Sequence, residues 1–80
     1  MKNLYSTKDL YLSSLLMSYD FKLVNSEKKT EGVYFIFENS DETLLEKLLN
    51  DFINYKAMVN MRKFTSSLAK LRKELDKYRR

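Results

Sequence analysis

The sequence predicts a small two-layer α+β domain, in the order (β)-α-β-β-α-α, with a β-hairpin packed by three helices. Three observations carry that expectation. Val33-Tyr34-Phe35-Ile36-Phe37 is an unbroken run of β-branched and aromatic residues, the composition of a strand. Two clusters of capping residues, Ser6-Thr7-Lys8-Asp9 and Asn39-Ser40-Asp41-Glu42, each stand ahead of a leucine-rich stretch. From Met61 to Tyr78, apolar residues return at spacings of three and four, which lines them up on one stripe of a helix.

Taken in order, Met1 to Tyr5 reads as a short edge strand. Ser6 then caps the first helix, with Asp9 reaching back to it. Leu12, Leu15, Leu16 and Tyr19 share one face of that helix, with Tyr11 at its edge. Leu10 and Met17 lie off the stripe, so the helix is either buried on two sides or exposes a small apolar patch. Asp20 tolerates the left-handed conformation and ends it. Phe21 to Val24 and the run opened by Gly32 pair as a hairpin, joined by a long polar loop from Asn25 to Glu31. The second helix carries Leu44, Leu45, Leu48, Phe52 and Tyr55 on its inner stripe, and Leu49 and Ile53 widen it. Lys56-Ala57-Met58-Val59 links to the last helix, which Asn60 caps.

Several of these stretches resemble one family. Leu4 to Ser13, Phe21-Lys22-Leu23, Phe35-Ile36-Phe37-Glu38, and Lys56-Ala57-Met58-Val59-Asn60 with Phe64 look like the domain of unknown function 5659, a set of short proteins from bacteria, their phages and mobile elements. The resemblance covers nearly the whole chain. Two positions depart from that pattern: Asp20 stands where a Gly often precedes the Phe, and Met61 where a Pro often follows Val-Asn. The resemblance implies a compact fold and a microbial or phage origin, and it brings no site residue with it.

Eighty residues make one domain, 1–80, that buries only about 60% of its unfolded surface. With no Cys, the chain has neither a disulfide nor a thiolate site. With no His, it lacks the usual general base near neutral pH. A single Gly excludes a glycine-rich phosphate loop. Carboxylates such as Asp41, Glu42 and Glu46 are spaced as caps and solvent-facing charges. These absences point away from catalysis, a metal or any cofactor. No apolar run approaches the roughly 20 residues of a membrane span, and no signal peptide is visible, so a cytoplasmic protein is expected.

The net charge of +4 is unevenly spread. From Lys56 onward there are nine Lys or Arg against two acids, a balance of +7; residues 1–55 hold six bases and nine acids, a balance of −3. A basic end on a near-neutral body suits a polyanion. The candidate binding residues are Arg62, Lys63, Lys70, Lys73, Lys77, Arg79 and Arg80. Mostly Lys, with Ser66 beside them, they suit a nucleic-acid phosphate backbone or an acidic protein surface better than base edges. The bland reading is a solvated face that keeps a small protein soluble. Leu10 and Met17 are the candidate protein-interaction patch. Tyr34 with Lys22 is the nearest approach to a base-stacking pair, although core packing accounts for the aromatics better. The Phe64 to Tyr78 seam leaves a homodimer open but spans too few heptads to require one. The expected function is a non-enzymatic nucleic-acid-associated regulatory or accessory protein. The alternatives are a protein-interaction module, such as a phage-encoded inhibitor of a host defence (CRISPR-type) complex, and a homodimeric structural domain.

Overall fold

The aromatic run around Phe35 becomes the middle of a three-stranded antiparallel sheet. The computed structural model describes residues 3–79, with β1 (Asn3–Thr7), α1 (Leu10–Ser18), β2 (Leu23–Lys29), β3 (Gly32–Asn39), α2 (Glu42–Ile53) and α3 (Met61–Asp76). The strand order is β1-β3-β2, so the strand with the strongest β composition has a partner on each side. The α+β class and the element order agree with the sequence reading. The hairpin gains a third strand, because β1 runs on to Thr7 and pairs with β3 in the register Tyr5↔Phe37 and Thr7↔Phe35.

That extension moves the start of α1. Ser6 and Thr7 belong to the strand, and Asp9 is the cap, its Oδ1 accepting the Leu12 N–H at 2.9 Å. The expected long polar loop from Asn25 to Glu31 is also corrected. β2 runs through Lys29, and only Thr30 and Glu31 turn the chain. The polar residues there are not a loop signal, because β2 is an edge strand with one side in water. Gly32 follows the turn at φ 142°, a conformation closed to residues with a Cβ. A register shift between Leu23 and Asn25 puts a bulge at Val24.

Alternation along β3 sends Val33, Phe35 and Phe37 to one face, where Phe35 and Phe37 are buried. Residues opposite one another share a face, so Tyr5, Thr7, Leu23 and Ser26 join them. The helices cover this face: Leu12, Leu15 and Leu16 of α1, Leu45 and Leu48 of α2 and Leu71 of α3 complete the core. Tyr34 and Ile36 lie on the other face. The cation over Tyr34 is Lys29, 5.0 Å from the ring centroid, and not Lys22.

α1 sits at the centre. Leu12 to Leu16 and Ser18 are all buried, so the helix is covered on two sides and has no water-facing stripe. Three serines make this possible. Their hydroxyls donate to carbonyls one turn back: Ser13 to Asp9 at 2.8 Å, Ser14 to Leu10 at 2.9 Å and Ser18 to Ser14 at 2.7 Å. Each buried hydroxyl is thereby satisfied inside its own helix. Leu10 and Met17 are half-buried against the core, so the expected apolar patch on α1 is largely covered.

Both early helices end in the same way. After α1, the N–H of Phe21 donates to Leu16 O and that of Asp20 to Met17 O, each at 3.0 Å, with Asp20 at φ 68°. After α2, Lys56 N–H donates to Asp51 O at 2.7 Å and Tyr55 N–H to Phe52 O at 3.3 Å, with Tyr55 at φ 59°. This is the Schellman arrangement, which places a left-handed residue just past the helix. Tyr55 therefore leaves the inner stripe expected of it and stands 98% exposed, and Ile53 is 70% exposed.

Candidate functional site

α3 is capped by Asn60, whose Oδ1 accepts the Lys63 N–H at 3.0 Å. It then runs as one unbroken helix along α1. Ser67 and Leu71 are its buried residues, with Phe64, Glu74, Leu75 and Tyr78 half-buried on the same side. The Phe64 ring stacks on Tyr11 of α1 at 6.4 Å. Met61, placed on the stripe by its spacing, is 70% exposed, and Leu68 is only half-buried at the stripe's edge. Ser67 takes the inward position. A serine in a basic helix gives no hydropathy signal, but a small residue there suits close approach to the serine-bearing α1.

The C-terminal end of α3 is tied to the sheet by polar groups. Ser26 Oγ donates to Glu74 Oε2 at 2.6 Å, and the Tyr78 hydroxyl lies 2.8 Å from Ser26 Oγ and 3.2 Å from its carbonyl. Lys77 Nζ approaches Glu74 Oε1 at 3.0 Å. The Ser26 hydroxyl, and after it Lys77, hold the Glu74 carboxyl below its usual range.

The predicted cations among the described residues all face water, but they divide into groups. Arg62, Lys63 and Lys70 converge on one cleft of about 310 Å³ between α3 and the end of α1, with Ser66 and Ser67 from α3 and Met17, Ser18 and Asp20 across from them. Lys73 lines, with Arg72, a separate shallow groove of about 620 Å³ that Thr65, Leu68, Ala69 and Asp76 also line. Lys77 is engaged by Glu74 and is the least available. Arg79 is exposed beyond the helix end, and Arg80 lies outside the described residues. Among the described residues, no carboxylate forms an ion pair with Arg62, Lys63, Lys70, Arg72 or Lys73. Five free guanidinium or ammonium groups on one helix, some beside serine hydroxyls, can bind oxyanions such as phosphates.

Sequence reasoning missed Arg72 as a candidate, and missed Ser18, Ser67 and Asp20 as the neighbours of the cations. Helical spacing alone could have grouped Arg62, Lys63, Ser66 and Lys70. The α1 contribution depends on how two helices pack, which no local pattern encodes. A second surface also emerges. Ile53, Tyr55, Met58 and Met61, around the α2–α3 connection, are large apolar residues left in water. The connection is anchored by the Tyr19 hydroxyl, which donates to the Met58 carbonyl. Among the described residues, no His, Cys, Asp or Glu cluster could hold a metal ion, and no helix is long and apolar enough to cross a membrane.

The two departures from the family pattern now have positions. Asp20 occupies the left-handed residue that ends α1, where Gly is the residue of least cost. Met61 is the first residue of α3, the position at which Pro is favoured. In each case the backbone makes the turn with a tolerated residue at a position where its geometry favours another. No curated protein and no solved structure matches the chain. The family model described as Domain of unknown function (DUF5659) matches residues 2–77, nearly the full length, and the chain belongs to that family.

Proposed function

We propose that this protein is a non-enzymatic nucleic-acid-associated accessory or regulatory protein of phage or mobile-element type, acting in the cytoplasm and holding phosphates on the basic side of α3. One observation carries the reading: Arg62, Lys63 and Lys70 meet at one cleft, in reach of three serine residues and free of ion pairs with the described carboxylates. Cations placed only for solubility would gain from being dispersed, whereas these are gathered on one helix. Among the described residues, Asp20 is the one acid lining the cleft, and it sets a negative margin to the anion site.

The test is fluorescence anisotropy with labelled duplex and single-stranded oligonucleotides across a salt series. Binding is expected at low salt and should weaken steeply as salt rises, because each neutralised phosphate releases counterions. Replacing Arg62, Lys63 and Lys70 together by Ala should reduce the slope of log K against log salt by about 2–3, at roughly 0.7–0.9 per phosphate contact. All three side chains are exposed, so the fold should survive. Absence of any complex at low salt, or a triple variant that binds like the parent, overturns the proposal.

A second reading, a protein-interaction module with an acidic partner, is favoured by the exposed Ile53, Tyr55, Met58 and Met61 beside the basic start of α3. Aromatic and Met side chains next to cations are the composition of a contact surface. Recovery of one acidic protein that is lost on Tyr55→Ser substitution would support it.

A further inference from the structure

We infer that α3 is a recognition helix that enters the major groove of duplex DNA. This rests on the proposed nucleic-acid role and sharpens it by naming both the partner and the mode of contact. The support is the order of side chains around the exposed part of the helix. With Leu71 pointing inward and about 3.6 residues per turn, the strip farthest from the core runs through Arg62, Ser66, Ala69, Lys73 and Asp76, with Thr65 and Lys77 at its margins. All of these are exposed. Between Arg62 and Lys73 the strip holds only small residues, Ser66 and Ala69 with Thr65 beside them, and a long cation stands at either end of that stretch. The distance from Arg62 to Lys73 is roughly 16 Å at about 1.5 Å per residue.

A helix lying across phosphates has no need of a small-residue crest, and long cations there would serve it better. A helix entering a groove about 12 Å wide needs small side chains at the crest, so that its backbone can approach the base edges. It also needs cations on both flanks, because a phosphate backbone borders the groove on each side. α3 supplies both: Lys63 and Lys70 stand on one flank and Arg72 on the other, all exposed. Thr65 adds a detail. Its Oγ1 donates back to the Met61 carbonyl at 3.0 Å, which leaves a methyl group to offer outward. A Thr or Ala methyl suits the methyl of thymine. Asp76, near the C-terminal end of the same side, marks where the groove contact stops.

The experiment uses the full chain and three probes. The first is duplex DNA enriched by the wild-type protein from a random-sequence library. The others are duplex RNA and single-stranded DNA of the enriched sequence. Duplex RNA is the sharp comparison, because its major groove is too deep and narrow for a helix. Duplex DNA should bind at least about tenfold tighter than either, the scale of one good base contact. Ala69→Leu keeps the charge and a good helix former while adding bulk at the crest. It should weaken duplex DNA binding about tenfold and leave single-strand binding unchanged. Failure to enrich any sequence, equal affinity for duplex DNA and duplex RNA, or an Ala69→Leu variant that binds DNA as before would each overturn the inference while leaving phosphate binding intact. If no probe binds, the proposed function falls with it.

Discussion

Replacing Tyr55 by Gly should make the protein more stable, although it removes a large aromatic ring. Tyr55 is 98% exposed, so the lost ring carries almost no burial. Its backbone is left-handed at φ 59°, which the pair of hydrogen bonds closing α2 requires. A non-Gly residue held there costs roughly 1–2 kcal/mol. Glycine removes that cost but adds roughly 0.5–1 kcal/mol of chain entropy to the unfolded state. The net gain is about 0.5–1 kcal/mol. For a chain of this size each kcal/mol moves Tm by about 4–8 °C, so Tyr55→Gly should raise Tm by roughly 2–8 °C. Tyr55→Ala is the control: it loses the ring, keeps the backbone cost, and should stay within about 0.5 kcal/mol of the parent. Circular dichroism melts decide it. A lower Tm for the Gly variant would mean that the ring stabilises the fold by a contact the exposed geometry does not contain.

Two further predictions concern how α3 is held. Leu71→Ala should cost about 2–5 kcal/mol in urea unfolding because Leu71 is completely buried, whereas Met61→Ala should stay within about 0.5 kcal/mol despite its place on the same apolar repeat. Equal losses would show that the apolar spacing, and not the observed packing, describes the docked face. The second concerns pH. The Glu74 carboxyl is held down by the Ser26 hydroxyl and by Lys77, so its contribution is complete above the ordinary carboxylate pKa and is lost as pH falls through the lowered one. Tm should therefore drop more on acidification in the parent than in Glu74→Gln, and identical acid limbs would remove Glu74 from the account.

Local signals in the sequence reached a long way here. The β3 run, the Asn60 cap, the Asp41 cap of α2, whose Oδ1 accepts the Leu44 N–H at 3.0 Å, and the left-handed Asp20 are each legible because one residue or one short stretch determines them. β2 was hidden because an edge strand with a wet side has the composition of a loop. The cap at Asp9 was displaced because strand pairing with β3 outranks the capping chemistry of Ser6. Burial of Ser13, Ser14, Ser18 and Ser67 could not be read from hydropathy, since hydroxyls bonded to their own helix behave as small neutral groups. The cations of the site were legible as residues, but their division between cleft, groove and ion pair was not. That division depends on which way α3 is rotated against α1, and a serine and a leucine decide it.

The enclosure of α1 has a mechanical consequence. A helix with no free side cannot roll or slide without disturbing the layers around it. α3 leans on it through Leu71 and Ser67 and is moored at its far end by Ser26, so the basic rod is fixed in heading as well as in place. Under the proposed function, a target would have to accommodate this rod as it stands, and any bending that a close fit demands would fall to the target.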